Sequence, residues 1–294
     1  MKISDFEIKK VVIGDKNYPA ILSKIKKPPK QLFYRGELSG SFFKRSLAIV
    51  GSRRMTRYGS EVVERFVPAL TAGGVTIISG FMYGVDTAAH TCTVENGGVT
   101  VAVLGNGINI CYPPENEKLY IKILEKGGVV MSEYDPDQKA QLWMYSQRNR
   151  IVAGLASLGV LVVEAGDGSG SLITANLARQ MGKRVFAVPG PITSSVSAGT
   201  NNLIKEGVAK IVTMPSDILG NLKTNNLNLK TTVQNLKLDN LETQIIELLR
   251  REALTVDELA VKLGQNVVDL SAKLSLMDLT GKVSESGGKF YPGT

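Results

Sequence analysis

From residue 47 onward, short apolar runs alternate with amphipathic stretches. LAIVG (47–51), VTIISG (75–80), TVAVLG (100–105), GVVMSE (128–133), GVLVVEA (159–165), RVFAVPG (184–190) and KIVTM (210–214) are rich in β-branched residues and lack period-two polarity, as strands buried on both faces do. Between them, Val62, Val63, Phe66 and Leu70 share one helical face, and Leu172, Leu177 and Met181 do so more loosely. Pro68 is expected to kink or shorten the first of these helices. Strand–helix alternation with right-handed crossovers predicts an α/β fold, a Rossmann-like, doubly wound and mostly parallel sheet over residues 47–218. Such sheets bind ligands at the carboxyl ends of their strands.

Residues 219–237 are rich in Asn, Thr and Lys and only weakly hydrophobic, the composition of a linker. After it, LETQIIELLRREA, TVDELAVKLG and NVVDLSAKLSLMDLTG read as three short amphipathic helices, with Thr255 and Glu258 forming a capping box. KVSESGGKFYP then reads as a hairpin around Ser286-Gly287-Gly288. Residues 238–294 are therefore expected to form a small winged-helix-like domain. Its last helix offers only Lys273 between Asp269 and Asp278, so protein contact is the better expectation for it than DNA contact.

Charge separates the regions further. The 294 residues carry a net charge of +8. Residues 1–46 hold 11 basic and 4 acidic side chains, net +7, whereas 47–218 carry +1 and 219–294 are neutral. The first 46 residues thus read as a basic extension packing on the Rossmann-like domain, with Lys24, Lys26, Lys27 and Lys30 expected on a solvated surface. No apolar run approaches the roughly 18 to 20 residues of a membrane span, and MKISDFEIKK lacks a signal-peptide core. The chain is expected in the cytoplasm, away from membranes. Cys92, Cys111 and a single histidine, His90, leave no CxxC or HExxH spacing, which argues against zinc and a disulfide framework.

The chemistry gathers at the strand ends. Gly51-Ser52-Arg53-Arg54 follows the first apolar run, and Ser79-Gly80-Phe81-Met82-Tyr83-Gly84-Val85-Asp86 the second. Gly166-Asp167-Gly168-Ser169-Gly170-Ser171 follows the fifth and opens a helix containing Thr174. Glycine turns and helix N-termini of this kind cradle phosphates. The last run is not a dinucleotide fingerprint, since Ser171 replaces the third glycine, and no GK[ST] is present. No cofactor is expected. Trp143-Met144-Tyr145-Ser146-Gln147-Arg148-Asn149-Arg150 offers rings for stacking and cations for phosphates, the needs of single-strand binding. The alternative is that the rings fill a core edge while the arginines pair with Glu133 and Glu164. Asp86 and His90, four apart on one helix, are expected to tie that helix to the Gly80–Gly84 loop.

In order, these residues resemble the DNA-processing protein A (DprA/Smf) family. The likeness runs through Tyr18-Pro19, Leu32-Phe33-Tyr34-Arg35-Gly36, Ile49-Val50-Gly51-Ser52-Arg53, Ser79-Gly80 to Asp86 and His90, Val103-Leu104-Gly105 with Tyr112-Pro113, Ser132-Glu133 and Arg148-Asn149-Arg150-Ile151. It continues through Val163-Glu164-Ala165, Ser169-Gly170-Ser171, Thr174-Ala175, Val188-Pro189-Gly190 and Gly199-Thr200-Asn201. The resemblance implies an extended Rossmann-like fold in a homodimeric, non-enzymatic protein that binds and shields single-stranded DNA and helps load a RecA-type recombinase in natural transformation.

By the same resemblance, Gly51, Ser52, Arg53, Tyr145 in place of the usual phenylalanine, Arg148, Asn149, Arg150, Gly168, Ser169, Gly170, Ser171 and Thr174 would form the DNA pocket. Met82-Tyr83 stands where Ala-Arg is common, so Tyr83 becomes a loop contact without charge. Pro191 to Ala198 also departs from the family pattern. The competing reading is a nucleotide-binding Rossmann enzyme, a nucleoside monophosphate hydrolase, which would need Asp86, Glu133 or Glu164 poised at the pocket.

Overall fold

The apolar runs form one nine-stranded sheet. In the computed structural model, which describes residues 1–220, 240–279 and 282–292, β1 (Lys9–Val12) and β2 (Gln31–Gly36) precede β3 (Ser46–Val50), α1 (Arg57–Ala72), β4 (Thr76–Ser79), α2 (Val85–Glu95) and β5 (Thr100–Val103). Then come α3 (Glu117–Glu125), β6 (Val129–Ser132), α4 (Leu142–Leu155), β7 (Gly159–Val162), α5 (Gly170–Gln180), β8 (Val185–Ala187), α6 (Ala198–Lys205), β9 (Lys210–Ile211) and α7 (Ser216–Leu219). Spatial order is β1-β2-β6-β5-β4-β3-β7-β8-β9, with β3 to β9 parallel to one another. Each of the strands β3 to β8 sends alternate residues to opposite faces, and both faces are covered. Ala48 and Val50 join one core with Ile151, Val152 and Ala175, while Leu47 and Ile49 join another with Val63, Phe66 and Leu70. Burial on both faces is why these runs show no polar alternation.

The N-terminal segment does more than pack on this domain. β2 pairs antiparallel with β6, and β1 with β2, so residues 9–36 extend the sheet by two strands. Arg35, one of the basic residues of this segment, is buried. Its guanidinium donates to Phe6 O at 2.9 Å, Ile108 O at 2.7 Å and Asn109 Oδ1 at 2.7 Å. The four lysines of residues 24–30 are exposed, as expected.

Two local expectations need correction. Pro68 lies within α1 and does not shorten it; the buried face of Val63, Phe66, Val67 and Leu70 holds the helix on the sheet to Ala72. Leu219, the first residue of the expected linker, ends α7, and residues 221–237 lie outside the described residues.

Contacts divide the chain into two units, Met1–Asn225 and Asn226–Thr294. The second holds α8 (Asn240–Leu249), α9 (Val256–Leu263), α10 (Val267–Leu279) and a hairpin of β10 (Val283–Ser286) and β11 (Lys289–Pro292). Ile245, Leu259, Leu270, Leu274 and Phe290 form its core, and Thr255 with Glu258 closes the capping box. Lys273, the cation of α10, pairs with Glu242 at 2.8 Å, and Lys282 joins the same carboxylate at 2.7 Å.

His90 is fully buried on α2. Its Nδ1 lies 2.7 Å from Thr100 Oγ1, whose own proton goes to Ile77 O at 2.8 Å. Thr100 therefore accepts, so His90 carries a proton on Nδ1. Burial, and then the charge of Arg148, lower its pKa from 6.5 to about 3. A depressed pKa contributes stability above pH 6.5 that is lost as pH falls, because the unfolded chain takes up a proton that the folded chain refuses. Between pH 7 and pH 5 this group should cost about 2 kcal/mol of unfolding free energy. Asp86, whose pKa burial raises, acts in the opposite sense, so the comparison is made against a variant. Urea denaturation at both pH values should show a smaller pH-dependent loss for His90→Gln than for wild type; equal losses would mean that His90 is already charged in the fold.

Candidate nucleic-acid interface

The chain crosses from β6 back to the centre of the sheet and enters β7 beside β3, so the order of strands reverses at the β3–β7 pair. The loops after these two strands leave toward opposite faces, and the gap between them is where open α/β sheets place ligands. Here the gap is a cleft of about 710 Å³. Gly51 to Arg54 form one wall, Gly166, Ser169, Gly170, Ser171 and Thr174 the opposite one, and Tyr145, Ser146, Arg148 and Asn149 reach in from α4.

The near wall is held by the loop between β4 and α2. Val85 N donates to Ser52 O at 3.2 Å, which locks the Gly51–Arg54 turn against the start of α2. Gly84 has φ +71°, and a side chain there would meet Ser52 O at 2.2 Å, so both its conformation and the close approach demand glycine. The preceding turn places buried Phe81 at φ +61°, a sparsely populated conformation for an aromatic residue, of the sort that surrounding structure must impose.

The floor is electrostatic. Arg148 is 3% exposed and donates through Nη1 to Gly80 O and Val103 O, at the carboxyl ends of β4 and β5. Its Nη2 and Asp86 Oδ2 both come within 2.6 Å of where a side chain at Gly80 would stand, so only glycine leaves room for the two charges. Burial pushes the Asp86 carboxyl above its ordinary range, against the pull of Arg148. Burial likewise lowers Arg148, and the Asp86 charge opposes that. The Asp86 Oδ2 also accepts from Met82 N at 3.3 Å, tying α2 to its loop as expected.

The far wall is a helix N-terminus. Ser169 caps α5 through Ser171 N, its hydroxyl lies 2.8 Å from that of Ser171, and Asn149 Nδ2 donates to Gly170 O at 3.3 Å. The first N–H groups of α5 and its dipole favour an anion at this rim. At the mouth, the exposed Arg53 guanidinium lies 5.6 Å from the Tyr145 ring centroid, a cation–π contact that leaves its N–H groups for a ligand.

Of the predicted residues, Gly51, Ser52, Arg53, Tyr145, Arg148, Asn149, Ser169, Gly170, Ser171 and Thr174 meet in this cleft; Gly168, Arg150 and Tyr83 do not line it. Arg148 and Arg150 do not act as a group, because a helix turns about 100° per residue and directs them apart. Arg150 pairs with Glu133, which realises half of the alternative drawn from sequence. The other half fails, since Glu164 accepts from Thr56 N at 2.9 Å and from its hydroxyl, at the start of α1. Trp143, half exposed, meets Tyr134 edge-on and not the cleft. Of the three carboxylates that a hydrolase would need, Asp86 alone reaches the cleft.

Sequence reasoning missed Ser195 and Val196, which also line the cleft. They come from the departure at Pro191–Ala198. Gly190 N donates to Asn201 Oδ1 at 3.1 Å, and Asn201 Nδ2 returns to Gly190 O at 3.0 Å. This reciprocal pair closes the intervening residues into a loop beside Gly166. The spacing of Pro189-Gly190 from Gly199-Thr200-Asn201 was its sequence signal.

Comparison with known proteins follows the same boundaries. Residues 9–223 match the family described as DNA recombination-mediator protein A, and residues 230–289 match the DprA winged helix domain. Protein Smf of Escherichia coli is 38% identical over 282 residues, covering 93% of this chain and 74% of its own length. The DNA processing protein DprA of Streptococcus pneumoniae is 42% identical over 207 residues, 70% of this chain and 72% of its own. A solved structure of the S. pneumoniae protein superposes with a TM-score of 0.67 at 40% identity, over 75% of each chain. A solved structure of DNA processing protein A from Helicobacter pylori, described for its single-stranded DNA binding mode, gives 0.65 at 28% identity over 74% of this chain and 96% of that one. With a parallel-sheet unit and a winged-helix unit that each match, and relatives that align along most of its length, this chain belongs to the DprA/Smf family of DNA-processing proteins.

Proposed function

We propose that this chain binds single-stranded DNA in the switch-point cleft, shields it, and helps load a RecA-type recombinase onto it during natural transformation, acting in the cytoplasm as a homodimer and without catalysis. One observation carries the reading: exposed Arg53, the Tyr145 ring beneath it and the N-terminus of α5 converge on one open cleft. Arginine and helix N–H groups suit phosphates, whereas the ring suits an unpaired base, and duplex offers no such base face. The relative from H. pylori, with its described single-stranded DNA binding mode, supports the same ligand.

The hydrolase reading has less support. Glu133 is taken by Arg150 and Glu164 by Thr56, and Asp86 is tied into the floor of the cleft. Shielding fits a cleft that engages backbone and base without a poised acid–base pair. The recombinase and dimer surfaces come from the family resemblance alone.

Two outcomes test this. In fluorescence anisotropy, single-stranded oligonucleotides should bind more tightly than duplex, with a log–log salt slope near −1.4, about 0.7 for each phosphate met by Arg53 and Arg54. Arg53→Ala should weaken binding roughly tenfold and flatten the slope by about 0.7 at unchanged melting temperature, since an exposed arginine serves the ligand more than the core. Preference for duplex, or an Arg53→Ala variant that binds like wild type, would contradict the reading. A fragment ending at residue 225 should retain single-strand binding within a few-fold, because every proposed contact lies upstream and the cation of α10 is occupied by Glu242. Loss of most affinity in a folded fragment would move the site to the second unit.

A further inference from the structure

Three tyrosine rings lead outward from the cleft. Tyr145, under Arg53, lies 6.2 Å from Tyr112 between ring centroids, and Tyr112 lies 6.3 Å from Tyr83. The rings come from three separate segments: α4, the loop between β5 and α3, and the loop between β4 and α2. Only the sheet's shared carboxyl edge brings them into one row. Tyr112 and Tyr83 are 38% and 39% exposed, while neighbouring Phe81 and Tyr120 are fully buried. Large aromatic surface left in water is costly for a residue whose only task is packing, and the two rings are inclined at 77°, so each keeps an open face.

The polar surroundings say what the row can hold. The Tyr83 hydroxyl donates to Glu115 Oε2 at 3.1 Å, which orients the ring and sets a carboxylate at the outer end. A phosphate beside Glu115 would be repelled; a base, which has a π face and no charge, would not. We propose that Tyr112 and Tyr83 form a base-stacking track that carries a single strand out of the cleft, extending the site by about two nucleotides whose bases face the rings and whose phosphates face solvent. This rests on the cleft binding single-stranded DNA, and it adds an affinity component that carries no charge.

That last property separates the track from the cleft. Anisotropy titrations of the full chain use oligothymidylates from about 4 to 20 nucleotides. Tyr112→Ala and Tyr83→Ala should each weaken binding of the long oligonucleotide about fivefold or more and leave the tetranucleotide unaffected. The salt slope should stay at the wild-type value, because no counterion is released at an uncharged ring. Tyr112→Phe should bind as wild type. On the unaltered chain, photo-crosslinking of an iodouracil-substituted strand should modify Tyr112 and Tyr83, which decides the matter even if an alanine variant misfolds. Folded alanine variants that bind every length like wild type, or crosslinks that spare both tyrosines, overturn the track. If Arg53→Ala still weakens all lengths in that case, the cleft reading stands and only the track falls; if Arg53→Ala is also inert, both fall.

Discussion

A guanidinium buried beneath an open cleft organises this molecule. Removing a positive charge from water costs several kcal/mol unless hydrogen bonds and an opposite charge compensate it. Arg148 finds both: the carbonyls of Gly80 and Val103, at the carboxyl ends of β4 and β5, and the carboxylate of Asp86 across Gly80. One side chain of α4 thereby ties together the ends of two strands and faces the first turn of α2. Gly80 and Gly84 are the consequences in sequence, one clearing space for the two charges and the other for Ser52 O. The positions of Ser52, Arg53 and Tyr145 follow from this arrangement, so Arg148 acts through the shape of the cleft more than through direct contact with a ligand.

How much of this was legible depended on the kind of signal. Strands β3 to β8 were visible because burial on both faces removes polar alternation, and the winged-helix unit because amphipathic periods and the Thr255–Glu258 box are local. β1 and β2 were not read as strands. They are edge-side and antiparallel, and Arg35 counts among the basic residues of the first 46 although Ile108 O and Asn109 close around it. The site was legible as a set of strand-end turns and misread in its arginines. Adjacency along the chain suggested a triplet, whereas helical rotation sends Arg148 under the cleft and Arg150 to Glu133. Asp86 and His90, also close in sequence, serve different partners, Met82 N and Thr100. The row from Tyr145 to Tyr83 had no sequence signature, since its members lie on three segments that meet only at the sheet edge.

Charge tells a matching story about the division of labour. The excess of the first 46 residues is carried by exposed lysines and by Arg35, which is internal. Residues 219–294 are neutral overall, and Glu242 takes up both Lys273 and Lys282. Its fold resembles a DNA-reading module, yet its last helix offers little with which to hold phosphates. The cationic and aromatic groups suited to a single strand belong to the sheet.

Hydrogen–deuterium exchange of the full chain, with and without a saturating oligothymidylate, tests the central claim most directly. Protection should appear in the segments that converge on the cleft, residues 51–54, 80–86, 145–149 and 166–174, and leave α9, α10 and the β10–β11 hairpin unchanged. Protection confined to α10 and the hairpin, with the strand-end loops exchanging as in the free protein, would contradict the account.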